Sequence, residues 1–237
     1  MSLSRKDRPL YIQIKHILKE RILHGVYPKG ENIPSEPQLE KEFAVSKITI
    51  RAAVSELVSE GFLEKGSGRG TKVIRNTSVS KLAKWKHFTE VLVEEGHQIR
   101  KLWLQVKRVT NDESSEAWRL LGETSLLLER VYFLDDRPYI YYTHYVTPDA
   151  GEVDMDDLNA MSLYEWLEGR DIPLGNLRDE FTVAVPPEHV QKTLGLDGGT
   201  PVLKRLRYSF DELGQVIEYS IGYYHTGLQN YVVTYDR

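Results

Sequence analysis

Lys47, Ile48 and Arg51 stand directly behind Ser46, and further on Gly66-Ser67-Gly68-Arg69-Gly70 sets one arginine among glycines. Lysine and arginine side chains only donate hydrogen bonds, and such donors with a methyl-sized apolar group between them suit base edges in a DNA major groove. An arginine at the tip of a glycine turn suits a minor groove, where negative potential attracts guanidinium. Ser35 and Ser46 are helix N-caps first; the free amides behind such caps also bind phosphate. The glycine run is not read as a nucleotide cradle, which should follow a buried strand and open a helix. Here Thr71-Lys72-Val73-Ile74 follows, which favours a strand.

The elements that must position these residues are legible around them. Leu10, Ile14, Ile17, Leu18 and Ile22 form a helical stripe, predicting a first helix of about fifteen residues. Pro28, Gly30 and Pro34 punctuate the connection to a second helix. Ser35 and Gln38 form a capping box at its start. After the tight turn Ala44-Val45, Ser46 opens a third helix whose Ile50, Ala53, Val54 and Leu57 share one face and leave Lys47, Ile48 and Arg51 outside it. Gly61 to Lys65 and Thr71 to Ile74 read as two strands around the glycine turn. Helix, helix-turn-helix and hairpin together predict a winged helix, with the third helix in the major groove.

Charge agrees with this division. Residues 1–75 hold 14 Lys+Arg against 9 Asp+Glu, a formal +5, and the remainder holds 17 against 26, a formal −9, making the net −4. A basic module on an acidic body fits backbone binding by one end. With no cysteine, disulfides and thiolate metal sites are excluded. No apolar run approaches the ~20 residues of a membrane span, and no signal peptide is recognised ahead of the first helix. The expectation is a cytoplasmic chain without membrane association. Its length, 237 residues at 41% hydrophobic content, suits one small and one medium domain. We place the DNA-binding domain at 1–75, a linker at 76–82 and a second domain at 83–237.

The second domain contains an internal repeat. Leu126 to Phe133 matches Pro201 to Tyr208 at a spacing of 75. Each copy follows a short helix, Glu113 to Leu121 or Pro187 to Leu194, and leads through a turn into a β-rich run, Tyr139 to Val146 or Val216 to Tyr224. Ser162 and Glu165 form a further capping box. Two hairpins with intervening helices predict an α+β domain around one antiparallel sheet.

Pro9 to Val73 resembles the winged-helix domain of the GntR family of bacterial transcription factors. The resemblance rests on Pro9-Leu10-Tyr11 with Gln13-Ile14, Pro34-Ser35-Glu36, Val45-Ser46-Lys47 with Thr49-Ile50-Arg51, and Gly68-Arg69-Gly70-Thr71. The rest is similar to the UTRA effector domain of the HutC branch, a fold like chorismate lyase. Its marks are Phe88-Thr89-Glu90, Gly96, the two hairpins, Ser162-Leu163-Tyr164 and Glu218-Tyr219. The resemblance implies DNA contacts at Ser35, Glu36, Ser46, Lys47, Ile48, Thr49, Arg51, Gly68, Arg69 and Gly70. It implies an effector site at His87, Phe88, Thr89, Arg130, Tyr132, Ser162, Tyr164, Glu218 and Tyr224. The family usually has arginine where Lys47 stands, which turns a bidentate guanine contact into a single-point one. Where members that bind phosphorylated sugars often carry two arginines on the first hairpin, Arg130 remains and Tyr132 holds the second place.

The helix start near His87-Phe88-Thr89 and the Arg130 fork suit an anion. Glu218 suits hydroxyl or amino groups, and Tyr164 and Tyr224 would supply stacking walls. A sugar phosphate or amino-sugar phosphate fits these residues, and the changed positions keep a non-phosphorylated ligand open. The whole reads as an operator-binding homodimer, a repressor controlled by a small-molecule effector, with no metal or other cofactor. The competing readings are a ligand-independent DNA-binding scaffold and a lyase-like enzyme. The seven histidines form no H-E-x-x-H spacing and no serine occupies a G-x-S-x-G elbow, so the fold analogy to a lyase stands without a catalytic constellation.

Overall fold

The computed structural model describes residues 9–66, 70–76, 92–93, 95–153, 155, 158 and 162–232. They divide into two compact units, one reaching Ile99 and the other running from Arg100 to Val232.

In the first unit, helices α1 (Leu10–Leu23), α2 (Glu36–Phe43) and α3 (Lys47–Ser59) precede strands β1 (Leu63–Gly66) and β2 (Gly70–Val73). Ile14, Leu18 and Ile22 of α1 close over Leu39 of α2, Ile50 and Leu57 of α3, and Phe62 and Val73 beside the wing. This is the apolar stripe of each helix turned inward. The Ser35–Gln38 capping box is present, the Ser35 N–H donating to Gln38 Oε1 at 2.8 Å. Ala44 ends α2 in the left-handed region at φ 52°, a conformation that disfavours residues with a Cβ. The turn it makes aims α3 across α2. Ser46 then caps α3 through the Thr49 N–H at 3.4 Å. The wing strands pair antiparallel from Leu63↔Val73 to Gly66↔Gly70. At Gly70, φ is +87° and a Cβ would stand 3.0 Å from Asn32 Nδ2, so only glycine fits without displacement.

The second unit is a six-stranded sheet in the order β3-β4-β5-β8-β7-β6. The strands are β3 (Ile99–Thr110), β4 (Thr124–Leu134), β5 (Arg137–Val146), β6 (Asn176–Ala184), β7 (Val202–Phe210) and β8 (Val216–Tyr224). From β4 to β6 every neighbouring pair is antiparallel. Helix α4 (Glu116–Leu121) lies between β3 and β4 in the chain, and α6 (Glu188–Leu194) between β6 and β7. Each half is therefore strand, helix, strand, strand, and the halves meet where β5 pairs with β8. Between them come a 3-10 turn at Pro148–Ala150 and helix α5 (Leu163–Glu168), which Ser162 and Glu165 cap as a box.

The two hairpins are where the sequence places them, and the fold is the α+β arrangement it implies. The outer strands β3 and β6 are additions, and helices α4 and α6 start later than the periodicity indicates, at Glu116 and Glu188. Both added strands are edges. Asn176–Ala184 has exposed or half-exposed residues on both sides, so no apolar alternation marks it.

Register fixes which residues share a face. Arg130↔Tyr142↔Gly222↔Arg205 form one row across the sheet. The next row is Leu128↔His144↔Ser220↔Arg207↔Asp179, and beyond it Val146↔Glu218↔Ser209. Residues directly opposite each other point the same way, so this face gathers three arginines, two carboxylates and a histidine. Trp166 and Leu167 of α5 pack with Leu126 and Leu128 of β4. The opposite face packs Val131, Tyr141 and Tyr223 against Val190 and Leu194 of α6.

Candidate functional site

The structure brings Glu36, Ser46, Lys47, Ile48, Thr49 and Arg51 together at the N-terminal end of α3, with Ser35 capping α2. Lys47 and Ile48 point outward, Ile48 at 79% exposure. An isoleucine that exposed contributes little burial to the fold. Arg51, one turn on, is 57% exposed, and its Nε donates to Glu36 Oε2 at 2.8 Å. Glu36 is thus beside the arginine it orients. An exposed pair of this kind adds little stability. Thr49 meets Ser46 through their hydroxyls at 2.9 Å. On the wing, Lys72 is exposed and Lys65 Nζ reaches Ser55 Oγ at 3.3 Å. Gly70 lies at the end of β2; Gly68 and Arg69 lie outside the described residues.

The second site is the polar face of the sheet. Arg205 of β7 is buried, and its Nη2 donates to Tyr142 Oη at 2.9 Å. Tyr142 Oη in turn meets Tyr224 Oη at 2.5 Å. Gly222 makes this possible: a Cβ there would stand 2.5 Å from Tyr142 Cε1, so the ring lies over bare backbone. Arg130, Arg205 and His144 all approach that ring, the two guanidinium carbons at 5.3 and 5.2 Å and the imidazole centroid at 5.3 Å. Arg130 also lies 5.0 Å from the Trp103 ring and 4.9 Å from the Tyr132 ring. Arg207 is held by Asp179 through two parallel bonds of 2.7 and 2.6 Å, the bidentate fork that carboxylates favour.

Glu218, fully buried, accepts from His144 Nδ1 at 2.7 Å, from Tyr164 Oη at 3.0 Å and from Ser209 Oγ. Burial alone would raise its pKa; the His144 and Ser209 hydrogen bonds and the Arg207 charge reverse this and hold it below the ordinary carboxylate range. Burial, helped by the Arg130 charge, pulls His144 the other way, down to about 4 despite Glu218. The imidazole is therefore neutral near pH 7, and its contact with Glu218 is a hydrogen bond to a carboxylate rather than an ion pair. Burial pushes the Tyr164 hydroxyl up to about 12, so it stays a donor.

Of the effector candidates, Arg130, Tyr132, Tyr164, Glu218 and Tyr224 share this face, and Ser162 is the cap of α5, its Oγ accepting the Glu165 N–H at 3.2 Å. His87, Phe88 and Thr89 lie outside the described residues, as do residues 77–82 of the expected linker. His144, Arg205, Tyr142 and Trp103 were not among the candidates. The repeat held a signal for one of them: at a spacing of 75, Arg130 aligns with Arg205.

A winged helix followed by a pseudo-symmetric sheet with a polar face defines a two-module DNA-binding regulator. Residues 10–73 match the family model described as bacterial regulatory proteins, gntR family, and residues 94–227, more than half the chain, match the UTRA domain. The chain belongs to the GntR family, in the HutC branch that carries a UTRA domain, and it is a transcription regulator rather than an enzyme.

Among its relatives, the HTH-type transcriptional regulator GgaR of Escherichia coli K12 is 28% identical over 233 residues, covering 97% of this chain and 92% of that protein. The HTH-type transcriptional repressor NagR of Bacillus subtilis is 28% identical over 233 residues, with 97% and 96% covered. The crystal structure of PhnF from Mycobacterium smegmatis shares the fold at a TM-score of 0.51 and 24% identity, covering 88% of this chain and 93% of that one. That of the possible transcriptional regulator YydK from Bacillus subtilis does so at 0.52 and 19%, with 95% and 99% covered. Among the described residues no helix is long and apolar enough to cross a membrane.

Proposed function

We propose that this regulator is an operator-binding repressor, acting as a homodimer, whose grip on DNA is controlled by a small polar anion in the UTRA domain. Residues 76–82 serve as the linker between the modules. Sugar phosphates and amino-sugar phosphates are the favoured class. The observation that carries this is the charge on the polar face. Arg130, Arg205 and Arg207 oppose only Asp179 and Glu218 among the described residues, with His144 neutral. One positive charge is left uncompensated in a largely buried setting, which is costly unless an anion is taken up. The names of two relatives bear on this reading. NagR is named as a repressor, which supports repression and not the ligand, and a 28%-identical Escherichia coli K12 protein is named as the probable repressor of a fructoselysine utilization operon, which supports a sugar-derived ligand.

On this reading Lys47, Ile48, Thr49 and Arg51 read base edges, Ser35, Ser46 and the wing residues Gly68, Arg69 and Gly70 approach the backbone and minor groove, and Glu36 orients Arg51. His87, Phe88, Thr89, Ser162 and Tyr132 border the effector with Arg130. A dimer sets two α3 helices about one helical turn apart on a near-palindromic site. Effector binding favours a different arrangement of the two, with a coupling of ~1–3 kcal/mol. A thermal-shift screen against sugar phosphates, amino-sugar phosphates, free sugars and small carboxylates tests the class. A hundredfold excess over the dissociation constant stabilises the native state by ~2.7 kcal/mol. Hits confined to phosphorylated compounds support the anion site, whereas hits confined to neutral sugars contradict it.

A further inference from the structure

Buried polar atoms without a hydrogen-bond partner are uncommon in folded proteins, because each forgoes the bonds that water gave it. In the sheet domain four such side-chain atoms occur among the described residues: Arg130 Nε, His144 Nε2, Arg205 Nε and Trp166 Nε1. Three of the four belong to the groups that surround the Tyr142 ring. They are not equivalent. An arginine Nε always carries a hydrogen and can only donate, so two of the three atoms ask for an acceptor. The third depends on the tautomer of His144.

That tautomer follows from the hydrogen bonds. The Glu218 carboxylate takes the hydroxyls of Ser209 and Tyr164 on one oxygen and His144 Nδ1 on the other. An ionised carboxylate only accepts, so Nδ1 carries the proton; a second proton on Nε2 would put a buried cation beside Arg130 and Arg205 around the same ring, so Nε2 presents a lone pair. A bare nitrogen then sits beside the same ring as two guanidinium donors. His144 is 2% exposed, so bulk water does not satisfy it. The arrangement is an acceptor next to a cationic donor pair.

We infer that His144 Nε2 accepts a hydrogen bond from a hydroxyl or amino group of the effector, adjacent to the anionic group held by Arg130 and Arg205, and that Glu218 is a positioning residue that fixes the imidazole tautomer without touching the ligand. The inference rests on the effector-site reading above and narrows it. The effector carries an anion with a donor close by, as a phosphorylated polyol, sugar or amino sugar does. An anion with no neighbouring donor leaves Nε2 unpaired and binds more weakly. The role expected for Glu218 from the resemblance, accepting from ligand hydroxyls, passes to His144, because Glu218 is fully buried and its carboxylate already accepts from three protein donors.

The test reads the imidazole directly. Full-length protein labelled with nitrogen-15 in its histidines gives long-range proton–nitrogen spectra that distinguish the two neutral tautomers, and His144→Gln assigns the signal by its loss. At pH 7 the inference expects a protonated Nδ1 and a bare Nε2, and expects Glu218→Leu, which removes the acceptor, to lose that single fixed tautomer. A His144 ring protonated at Nε2 in the unaltered protein overturns it, as does an unchanged tautomer in Glu218→Leu. The probes are glucose 6-phosphate, glucosamine 6-phosphate, fructose 6-phosphate and 2-deoxyglucose 6-phosphate. The best binder should move the His144 Nε2 resonance, and His144→Leu should weaken it at least tenfold in calorimetric titration while Arg130→Ala abolishes it. Binding that is lost in Arg130→Ala, leaves the Nε2 resonance unmoved and survives His144→Leu overturns the His144 role and spares the anion site. A panel in which nothing binds overturns the effector reading and this inference with it.

Discussion

Gly222→Ala is a one-carbon change with a consequence that can be worked from geometry. The added Cβ would stand 2.5 Å from Tyr142 Cε1 and 2.9 Å from Cδ1, well inside van der Waals contact. The tyrosine ring must move, yet it is hemmed in. Tyr132 meets it edge-on at 5.8 Å, His144 lies at 5.3 Å, and its hydroxyl is bonded to Arg205 and Tyr224. Overpacking a fitted site costs ~1–3 kcal/mol, and a hydrogen bond to a buried charge is worth ~1.5–3 kcal/mol. If the ring swings far enough to lose Arg205, the two effects combine to about 3–5 kcal/mol. For a unit of this size that lowers Tm by roughly 10–20 °C. Near-ultraviolet circular dichroism, which reports the tyrosines of this face, follows the transition. The winged-helix unit should keep its operator affinity, because Gly222 belongs to the other unit. A variant melting within ~2 °C of the parent would show that the ring is not fixed over Gly222, and the cluster built around it would fail.

Other perturbations separate the two modules. Arg51→Ala should weaken binding to a selected operator by at least tenfold, about 1.4 kcal/mol, in fluorescence anisotropy at fixed salt, while the exposed Arg51–Glu36 pair changes stability by no more than ~1 kcal/mol. Ser46→Ala removes the α3 cap and should cost ~1 kcal/mol in urea unfolding. Asp179→Ala leaves Arg207 largely buried without its bidentate partner and should destabilise the sheet domain by about 2–4 kcal/mol. The domain should also lose stability in mild acid. His144 titrates at about 4 in the fold against an ordinary 6.5, with burial and the Arg130 charge depressing it, and Glu218 lies below its ordinary 4.5. Both groups hold fewer protons folded than unfolded, so stability is fully present above pH ~6.5 and is lost as the pH falls toward 4 and below. His144→Gln should flatten the upper part of that fall in a pH series of melting temperatures.

The winged helix was legible because its signals are local. Caps at Ser35 and Ser46, the turn at Ala44 and the stripe Ile50, Ala53, Val54, Leu57 each lie within one or two helical turns. The hairpins β4-β5 and β7-β8 were legible for the same reason, through their turns and their repeat. Strands β3 and β6 were not: β6 has exposed residues on both sides, and β3 buries Ile99 and Trp103 on one face while exposing Leu102 and Leu104 on the other, so neither carries a clean apolar alternation. The polar face was half legible. Arg130 and Glu218 came from a resemblance, and Arg205 stood in the repeat as the partner of Arg130. His144 had no local signature at all. It joins Glu218, 74 residues away, only through the register of β5 against β8. A lone histidine on an alternating strand becomes part of a site only when that pairing is known.

Effector-controlled release of DNA separates a ligand-gated repressor from a ligand-independent scaffold. An operator selected from random duplexes by the full-length protein would be labelled and titrated back with phosphorylated sugars, with the Arg130→Ala variant alongside. A phosphorylated sugar should change operator affinity by about 5–150-fold, and Arg130→Ala should bind the operator equally well but no longer respond. Operator affinity that stays constant across the panel, or an Arg130→Ala protein that still responds, would contradict ligand gating through Arg130.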